Sequence, residues 1–405
     1  MMKIGLIKEG KFPRDSRIVL TPTQVQLASK QFPAIEIVVQ SSEHRCFSDE
    51  EYLQHQVQIV DNIDDCEILI GVKEVALNDL IENKTYFFFS HTIKAQLHNR
   101  KLLQTILAKN IRIIDYECLV DDAGLRVIAF GRWAGIVGAH NGLYTWGKRT
   151  QLFDLKRAKD CKDFEELKSL YTNIQFPAIK IVISGNGRVG NGAAELLLAA
   201  GIRQVSSEEL LQQHFNEAVF TQLDCEELFT RKSDGGYETN EFYAHPERYQ
   251  SAFRKFTEVT DLFINAIFWD PKAPAFFSDE DMASEKFNIK VIADITCDIA
   301  PESSVPSTIR ASTIAEPVYG YDVKTKAEIA PFQTQSIDIM AIDNLPNELP
   351  RDASTSFGEQ FIEHVLPELL KKESAFLNQA TIARDGDLTP KFEYLRSYVN
   401  ETPKK

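Results

Sequence analysis

Several things are scarce in this chain. Cysteine is sparse: Cys46, Cys66, Cys118, Cys161, Cys225 and Cys297 are scattered through 405 residues, with no CxxC pair and no Cys/His cluster at zinc spacing. That pattern excludes a disulfide-framed secreted module and a structural zinc site, and it points to reduced thiols and no metal. No stretch approaches the roughly 20 apolar residues of a membrane span. The opening residues MMKIGLIKEGKFPRDSR lack the apolar core, roughly 7–15 residues long, of a secretory leader. A soluble, cytoplasmic chain is the expectation. Positive charge is also in deficit, with 45 Lys and Arg against 59 Asp and Glu and a net charge of −14. That balance argues against nucleic acid or an anionic membrane surface as the main partner. Local arginines can still gather an anionic small molecule.

What is present is alternation. KIGLIKE (3–9), AIEIVVQ (34–40), EILIGVK (67–73), TYFFFSH (85–91) and IRIIDYE (111–117) are compact apolar runs with polar ends, the pattern of buried parallel strands. Between the last two, KAQLHNRKLLQTILAKN predicts a helix with Leu97, Leu103, Ile106 and Leu107 on one face. A second block follows the charged segment around 155–178. It predicts strands at 179–184, 218–223, 261–267, 290–296 and 336–343, and a helix AAELLLAAG ended by Gly201. KSDGGYETN reads as an exposed loop, NLPNELPRDAS as a proline-bracketed loop, and Phe357–Leu370 as a helix. The fold class is α/β.

The glycine turn opens the second block. ISGNGRVGNGAAELL sets Gly185, Gly187 and Gly190 in G-x-G-x-x-G order between a strand and a helix. The first glycine allows a tight turn, the second lets backbone approach a pyrophosphate, and the third allows close helix–strand packing. The bland alternative is a glycine turn that only packs. The acidic residue that meets the ribose is normally about 20 positions on. Here the best candidate, Asp224, is 39 positions after Gly185, so an insertion must intervene. Glu226 and Glu227 compete with it. A carboxylate there favours NAD by repelling a 2′-phosphate, while Arg231 and Lys232 nearby keep NADP open.

Ionisable groups gather where the first block's strands end. Lys73 and Glu74 close one run, His91 another and Glu117 a third. Strand ends in an open α/β sheet line the ligand crevice. A desolvated lysine there can act as a base, and a histidine exchanges protons near neutral pH. Arg17 and Arg126 could supply bidentate forks for carboxylates. Taken singly, each has an ordinary structural explanation. Lys94 reads as a surface residue at the start of a helix.

Taken in order, SRIVLTP, IGVKE, SHTIKAQ, IDYE, RVIAFGRWAG, the glycine turn, ADITCD and AIDNLPNELPRDAS resemble the lysine-forming saccharopine dehydrogenases. The stretch YFFFSHTIKAQ to RVIAFG is similar to the lysine–2-oxoglutarate reductase domain of the bifunctional lysine-degrading enzyme. The wider group is the alanine dehydrogenase/transhydrogenase superfamily. The resemblance covers roughly 1–370, with 203–260 poorly matched.

The resemblance implies two Rossmann-like, doubly wound parallel-sheet domains flanking a cleft. A discontinuous substrate and catalytic domain would take 1–135 and 325–405, and a dinucleotide-binding domain 136–324. It implies interconversion of saccharopine with lysine and 2-oxoglutarate by hydride transfer to or from NAD, with NADP open. Lys73 would be the base for the secondary amine, and His91 would move protons during carbinolamine formation and imine hydrolysis. Glu74 and Glu117 would tune those groups. Arg17, Gln96, Arg126, Phe130 and Asp298 would meet substrate. Gly185, Gly187, Arg188, Val189, Gly190 and Asp224 would hold the dinucleotide, joined by Ile295, Ile342, Asp343 and Leu345. Leu228 departs from the fungal members, which carry a hydroxyl residue there, and the bifunctional group mostly prefers NADP. The main alternative is an alanine dehydrogenase, or a related amine-forming dehydrogenase with another oxo acid or amine. SHTIKAQ stands against the former, because the alanine enzymes have a shorter His-Leu-Ala pattern there. A nucleotide-sensing domain without activity would be expected to have lost Lys73 or His91. The oligomeric state is open.

Overall fold

A computed structural model describes residues 1–401, so residues 402–405 of the expected 325–405 segment lie outside the described residues. The chain divides into two compact units, Met1–Phe130 with Pro350–Lys405, and Gly131–Leu349. No helix among the described residues is long and apolar enough to cross a membrane.

The first unit is built on strands β1 (Met2–Leu6), β2 (Ile35–Gln40), β3 (Gln58–Val60), β4 (Ile68–Lys73), β5 (Thr85–Phe89) and β6 (Arg112–Asp115). They run parallel in the order β3-β2-β1-β4-β5-β6. Their β-branched and aromatic residues are buried because helices and loops cover the sheet. The chain winds outward from β1 to β3, then returns to the other side of β1 at β4. Where the winding reverses, connections after β1 and β4 diverge and leave a crevice at the carboxyl ends. An antiparallel hairpin, Thr381–Arg384 with Asp387–Leu388, extends the sheet beyond β6. Phe357 and Phe361 of helix Pro350–His364 pack edge-on against Tyr116, and Phe361 meets Phe87 the same way.

The helix expected across 94–110 is shorter than its pattern. Only Arg100–Ala108 is α-helical; Thr92–Lys94 and Leu97–Asn99 are single 3-10 turns. Left-handed backbone at His91 (φ 55°) and Ala95 (φ 51°) breaks the winding, and Leu97 is 75% exposed. The expected loop 344–354 is also a correction. Leu345–Glu348 is a 3-10 turn and Pro350 opens a helix running to His364, with a separate turn at Leu366–Leu369. Proline is well suited to a first helical position, where its missing N–H costs nothing.

The second unit holds β7 (Lys180–Ser184), β8 (Arg203–Gln204), β9 (Val219–Leu223), a small ribbon of β10 (Phe229–Arg231) with β11 (Tyr249–Ser251), then β12 (Leu262–Asn265), β13 (Val291–Asp294), β14 (Tyr319–Asp322), β15 (Ala327–Ile329) and β16 (Ser336–Met340). The main sheet runs β15-β14-β16-β13-β12-β7-β9-β8, with β14 and β15 antiparallel. Again the winding reverses beside the first strand, between β7 and β12. The long gap before Asp224 is explained: β8 and helix Ser207–Gln212 are inserted ahead of β9, which then pairs directly with β7.

The division between units corrects the expected boundaries. Because β14 and β16 pair with each other and β16 with β13, 325–349 stays in the second unit. The first crossing comes at Gly131, where helix Gly131–Thr150 begins. The sequence reading did not anticipate that helix, because its glycines weaken the propensity signal. They serve packing instead. A Cβ on Gly135 would come 1.9 Å from the Val189 carbonyl oxygen, and one on Gly192 would come 2.1 Å from that of Arg132. The helices Gly131–Thr150 and Arg188–Ala199 therefore meet backbone to backbone.

Candidate functional site

In the first unit, four neighbouring strand ends deliver ionisable side chains to one edge. Glu9 follows β1, Lys73 closes β4 with Glu74 after it, His91 follows β5, and Glu117 follows β6. The register places Lys73 opposite Phe89, two residues before His91. Lys73 is half-buried, and its ammonium has no hydrogen-bond partner among the described residues. Burial, then the charges of Arg17 and Lys11, hold its pKa below the usual lysine value.

His91 is held from two sides. Ser90, fully buried, donates its backbone N–H to Asp115 at 2.8 Å, and its hydroxyl meets Asp115 and Thr92. That anchor fixes the left-handed backbone at His91. The ring lies parallel to Phe89, with centroids 6.3 Å apart, and its Nδ1 is 3.4 Å from Glu117 Oε2. The other Glu117 oxygen meets Arg126 at 2.9 Å. Burial opposes ionisation of Glu117, but His91, Arg126 and Lys94 together outweigh it and hold the carboxyl down at about 2. Lys94 is on the surface, as expected, yet its charge reaches this pair.

Glu74 pairs with Lys11 at 2.6 Å, while its second oxygen is buried with no hydrogen-bond partner. Arg17 is 2% exposed and forks onto Asp15 at 2.9 and 2.5 Å, with its guanidinium 4.2 Å from the centre of the Phe130 ring. Phe130 stacks on Phe357. Gln96 is exposed in the loop after His91. Arg126, with 47% of its side chain accessible, is better placed than Arg17 to meet an incoming carboxylate.

Glu9 was not singled out from the sequence, although it ends the run KIGLIKE just as Lys73 ends its own. Its carboxylate accepts the backbone N–H groups of Val72 (2.6 Å) and Lys73 (2.9 Å). Burial pushes it up to about 8 in spite of those donors. Lys11 and Asp15 were missed as well, because their partners are distant in sequence or lie inside a turn.

The glycine turn in the second unit has the expected form. Gly185 is left-handed (φ 88°), and a Cβ there would come 3.1 Å from the Ala266 carbonyl, at the β7/β12 reversal. A Cβ on Gly190 would come 2.0 Å from the Gly185 carbonyl, so only glycine lets the helix approach. A Cβ on Gly187 would meet nothing within 4 Å. That open space lies at the N-terminus of the 12-residue helix Arg188–Ala199, where exposed N–H groups and the helix dipole favour phosphate. The residues present fit a dinucleotide. Arg188 is exposed and Val189 half-buried at the start of that helix.

Asp224 follows β9, beside the glycine turn, and caps a short helix by accepting the Glu227 N–H at 3.1 Å. Arg231 is engaged by Glu241 and Asp234, and Lys232 by the Glu247 carbonyl at 2.9 Å. Ile295 follows β13, and its side chain fills the space beside Gly138 together with Leu345. Ile342 is buried beyond β16, and Asp343 is exposed. Asp298 and Asp343 both lie close enough to the Cys297 thiol to raise its pKa, which burial and Asp294 push up to about 12. Beneath them, Asn265 binds Ser184, Asp294 and Ser304 at 2.8–2.9 Å, a buried polar network that the apolar strand pattern gave no sign of.

Residues 5–137 match the family model "Alanine dehydrogenase/PNT, N-terminal domain". Along 97% of its length the chain is 28% identical to "Alpha-aminoadipic semialdehyde synthase, mitochondrial" of Mus musculus, covering 47% of that protein. The chain thus spans about half the length of those relatives. It is 27% identical to "Saccharopine dehydrogenase [NAD(+), L-lysine-forming]" of Schizosaccharomyces pombe, across 87% of this chain and 90% of that one. Among solved structures, an L-alanine dehydrogenase superposes with a TM-score of 0.64 at 15% identity, covering 98% of this chain and all of the other. A transhydrogenase from Sinorhizobium meliloti gives 0.57 at 12% identity, covering 96% of this chain and all of the other. Those superpositions establish the fold: two α/β units of the alanine dehydrogenase type. The resemblance to the saccharopine dehydrogenases stands.

Proposed function

We propose that this chain is a nicotinamide-dependent oxidoreductase interconverting saccharopine with lysine and 2-oxoglutarate, with Lys73 and His91 as its acid–base groups. The observation that carries the reading is the half-buried, unpaired Lys73 ammonium at the end of β4, with the His91–Glu117 pair at the ends of the next two strands. Similarity to the saccharopine enzymes across most of the chain supplies the substrate class.

The nicotinamide supplies or accepts the hydride. Lys73, disfavoured as a cation by burial, takes the proton of the secondary amine as that amine is oxidised. His91 then moves protons as water adds to the imine and the carbinolamine collapses. Glu117, ionised throughout, keeps the ring in place. Arg126 meets a substrate carboxylate, Phe130 and Phe89 keep water from the reacting carbon, and Arg17 orders the pocket wall through Asp15. Gly185–Gly190 and Asp224 hold the dinucleotide. NAD is the favoured form: Asp224 follows β9 beside the glycine turn, where a carboxylate would repel a 2′-phosphate, and Arg231 and Lys232 are occupied elsewhere.

Lys73→Met and His91→Gln test the roles. Each should lower turnover by about 100-fold or more, with NADH affinity held, since the dinucleotide residues are in the other unit. Wild-type turnover in both variants would remove the acid–base assignment.

A further inference from the structure

The loop that carries His91 is irregular. Left-handed His91 precedes the first of two single 3-10 turns, left-handed Ala95 lies between them, and most of 93–98 is exposed. Its internal bonds are those of two single turns, Ala95 N–H to the Thr92 carbonyl and Asn99 N–H to the Gln96 carbonyl at 3.0 Å each, with longer ones from Lys94 N–H and Asn99 Nδ2 to the His91 carbonyl at 3.4 Å. Ser90 anchors the start of the loop, but these single turns do not tie the exposed 93–98 stretch to the rest of the unit.

Its restraint comes from far along the chain. The Tyr394 hydroxyl donates to the Ile93 carbonyl at 3.1 Å, and the Tyr398 hydroxyl donates to the Gln96 carbonyl at 2.5 Å. Both tyrosines belong to the segment Pro390–Leu395 and Arg396–Asn400. That segment is itself docked on the helix following the loop. Gln104 donates to the Val399 carbonyl at 2.7 Å, and Arg100 pairs with Glu401 at 2.8 Å while lying over the Tyr398 ring. The two hydroxyls reach the loop on either side of Ala95, the point where its backbone turns left-handed.

We propose that Tyr394 and Tyr398 are positioning residues: through the Ile93 and Gln96 carbonyls they hold the 91–99 loop so that His91 stays against Glu117. The claim rests on His91 being an acid–base group only for its effect on turnover. The geometric part stands apart from the reaction.

The test uses the full chain carrying Tyr394→Phe, Tyr398→Phe and both together. Each variant keeps the aromatic ring and removes only the donated hydrogen bond. Two readouts are taken: the diethyl pyrocarbonate modification rate of His91, followed by peptide mapping, and steady-state kinetics with lysine, 2-oxoglutarate and NADH. Two lost hydrogen bonds should change the ordered population of the loop by about tenfold. His91 modification in the double variant should therefore quicken by about that factor, and turnover should fall similarly with the NADH KM unchanged. Thermal unfolding should stay close to wild type, separating positioning from loss of fold. Unchanged His91 modification in a folded double variant overturns the proposal, whatever the kinetics. Faster modification with unchanged turnover overturns the link to catalysis. If the wild type turns over none of these substrates, the proposed reaction fails, and the modification rate still decides whether the tyrosines hold His91.

Discussion

Glu9→Gln gives the most detailed energetic prediction. In the folded chain Glu9 keeps its proton up to about pH 8, whereas an ordinary glutamate releases it at 4.5. A carboxyl raised in this way is a stability cost that grows with pH. Stability is fullest below 4.5, falls as pH rises toward 8, and then levels off. That gap is worth at most ~5 kcal/mol at ~1.4 kcal/mol per pH unit; the solvent that reaches this partly buried residue reduces it to ~2 kcal/mol. Glutamine keeps one oxygen to accept from Val72 or Lys73 and leaves the other N–H short of a partner, a loss of ~1 kcal/mol. The variant should be ~1 kcal/mol less stable than wild type at pH 5 and ~1 kcal/mol more stable at pH 9, the curves crossing between. All three tryptophans, Trp133, Trp146 and Trp269, lie in the second unit. Denaturation is therefore best followed by far-ultraviolet circular dichroism at several pH values. Parallel curves, with a difference independent of pH, would refute the argument.

The other predictions concern both units. Gly190→Ala forces a Cβ to within 2.0 Å of backbone and should cost ~2–4 kcal/mol of stability. Gly187→Ala places its methyl in open space, so it should unfold like wild type yet lose NADH affinity by about tenfold in calorimetry. Asp224→Ala should weaken NADH binding by about 10–100-fold, the loss of a charge-assisted hydrogen bond to ribose, and leave NADPH binding little changed; equal losses for both would remove Asp224 from the ribose site. For Glu117, held at about 2 against an ordinary 4.5, stability is fully present above pH 4.5 and lost as pH falls through 2. Glu117→Gln should therefore be ~3 kcal/mol less stable than wild type at pH 7 and converge with it near pH 2, which acid titration of the unfolding midpoint would reveal.

How much was legible beforehand depends on the kind of signal. Apolar runs with polar ends located β1, β4, β5, β7, β12 and β13 to within a few residues, because buried parallel strands are continuous in sequence. The same runs ended on Lys73, His91 and Glu117, so the ionisable groups at the strand ends were visible without coordinates. The glycine turn was visible because each glycine has its own steric reason. What stayed hidden depends on tertiary partners. Helix Gly131–Thr150 looks like a poor helix until Gly135 and Gly192 are seen to let two backbones touch. The Glu9 carboxylate binds β4 across the sheet, and Tyr394 and Tyr398 bind a loop some 300 positions earlier. The 39-residue gap before Asp224 showed that something was inserted, but only the pairing of β9 with β7 revealed a strand and helix set to the sheet edge.

The most direct test of the central claim is oxidation of NADH and NADPH by the purified chain with lysine plus 2-oxoglutarate, beside ammonia plus pyruvate. The account predicts turnover with the first pair alone and faster with NADH. Turnover with ammonia and pyruvate alone, or with neither pair, would contradict it.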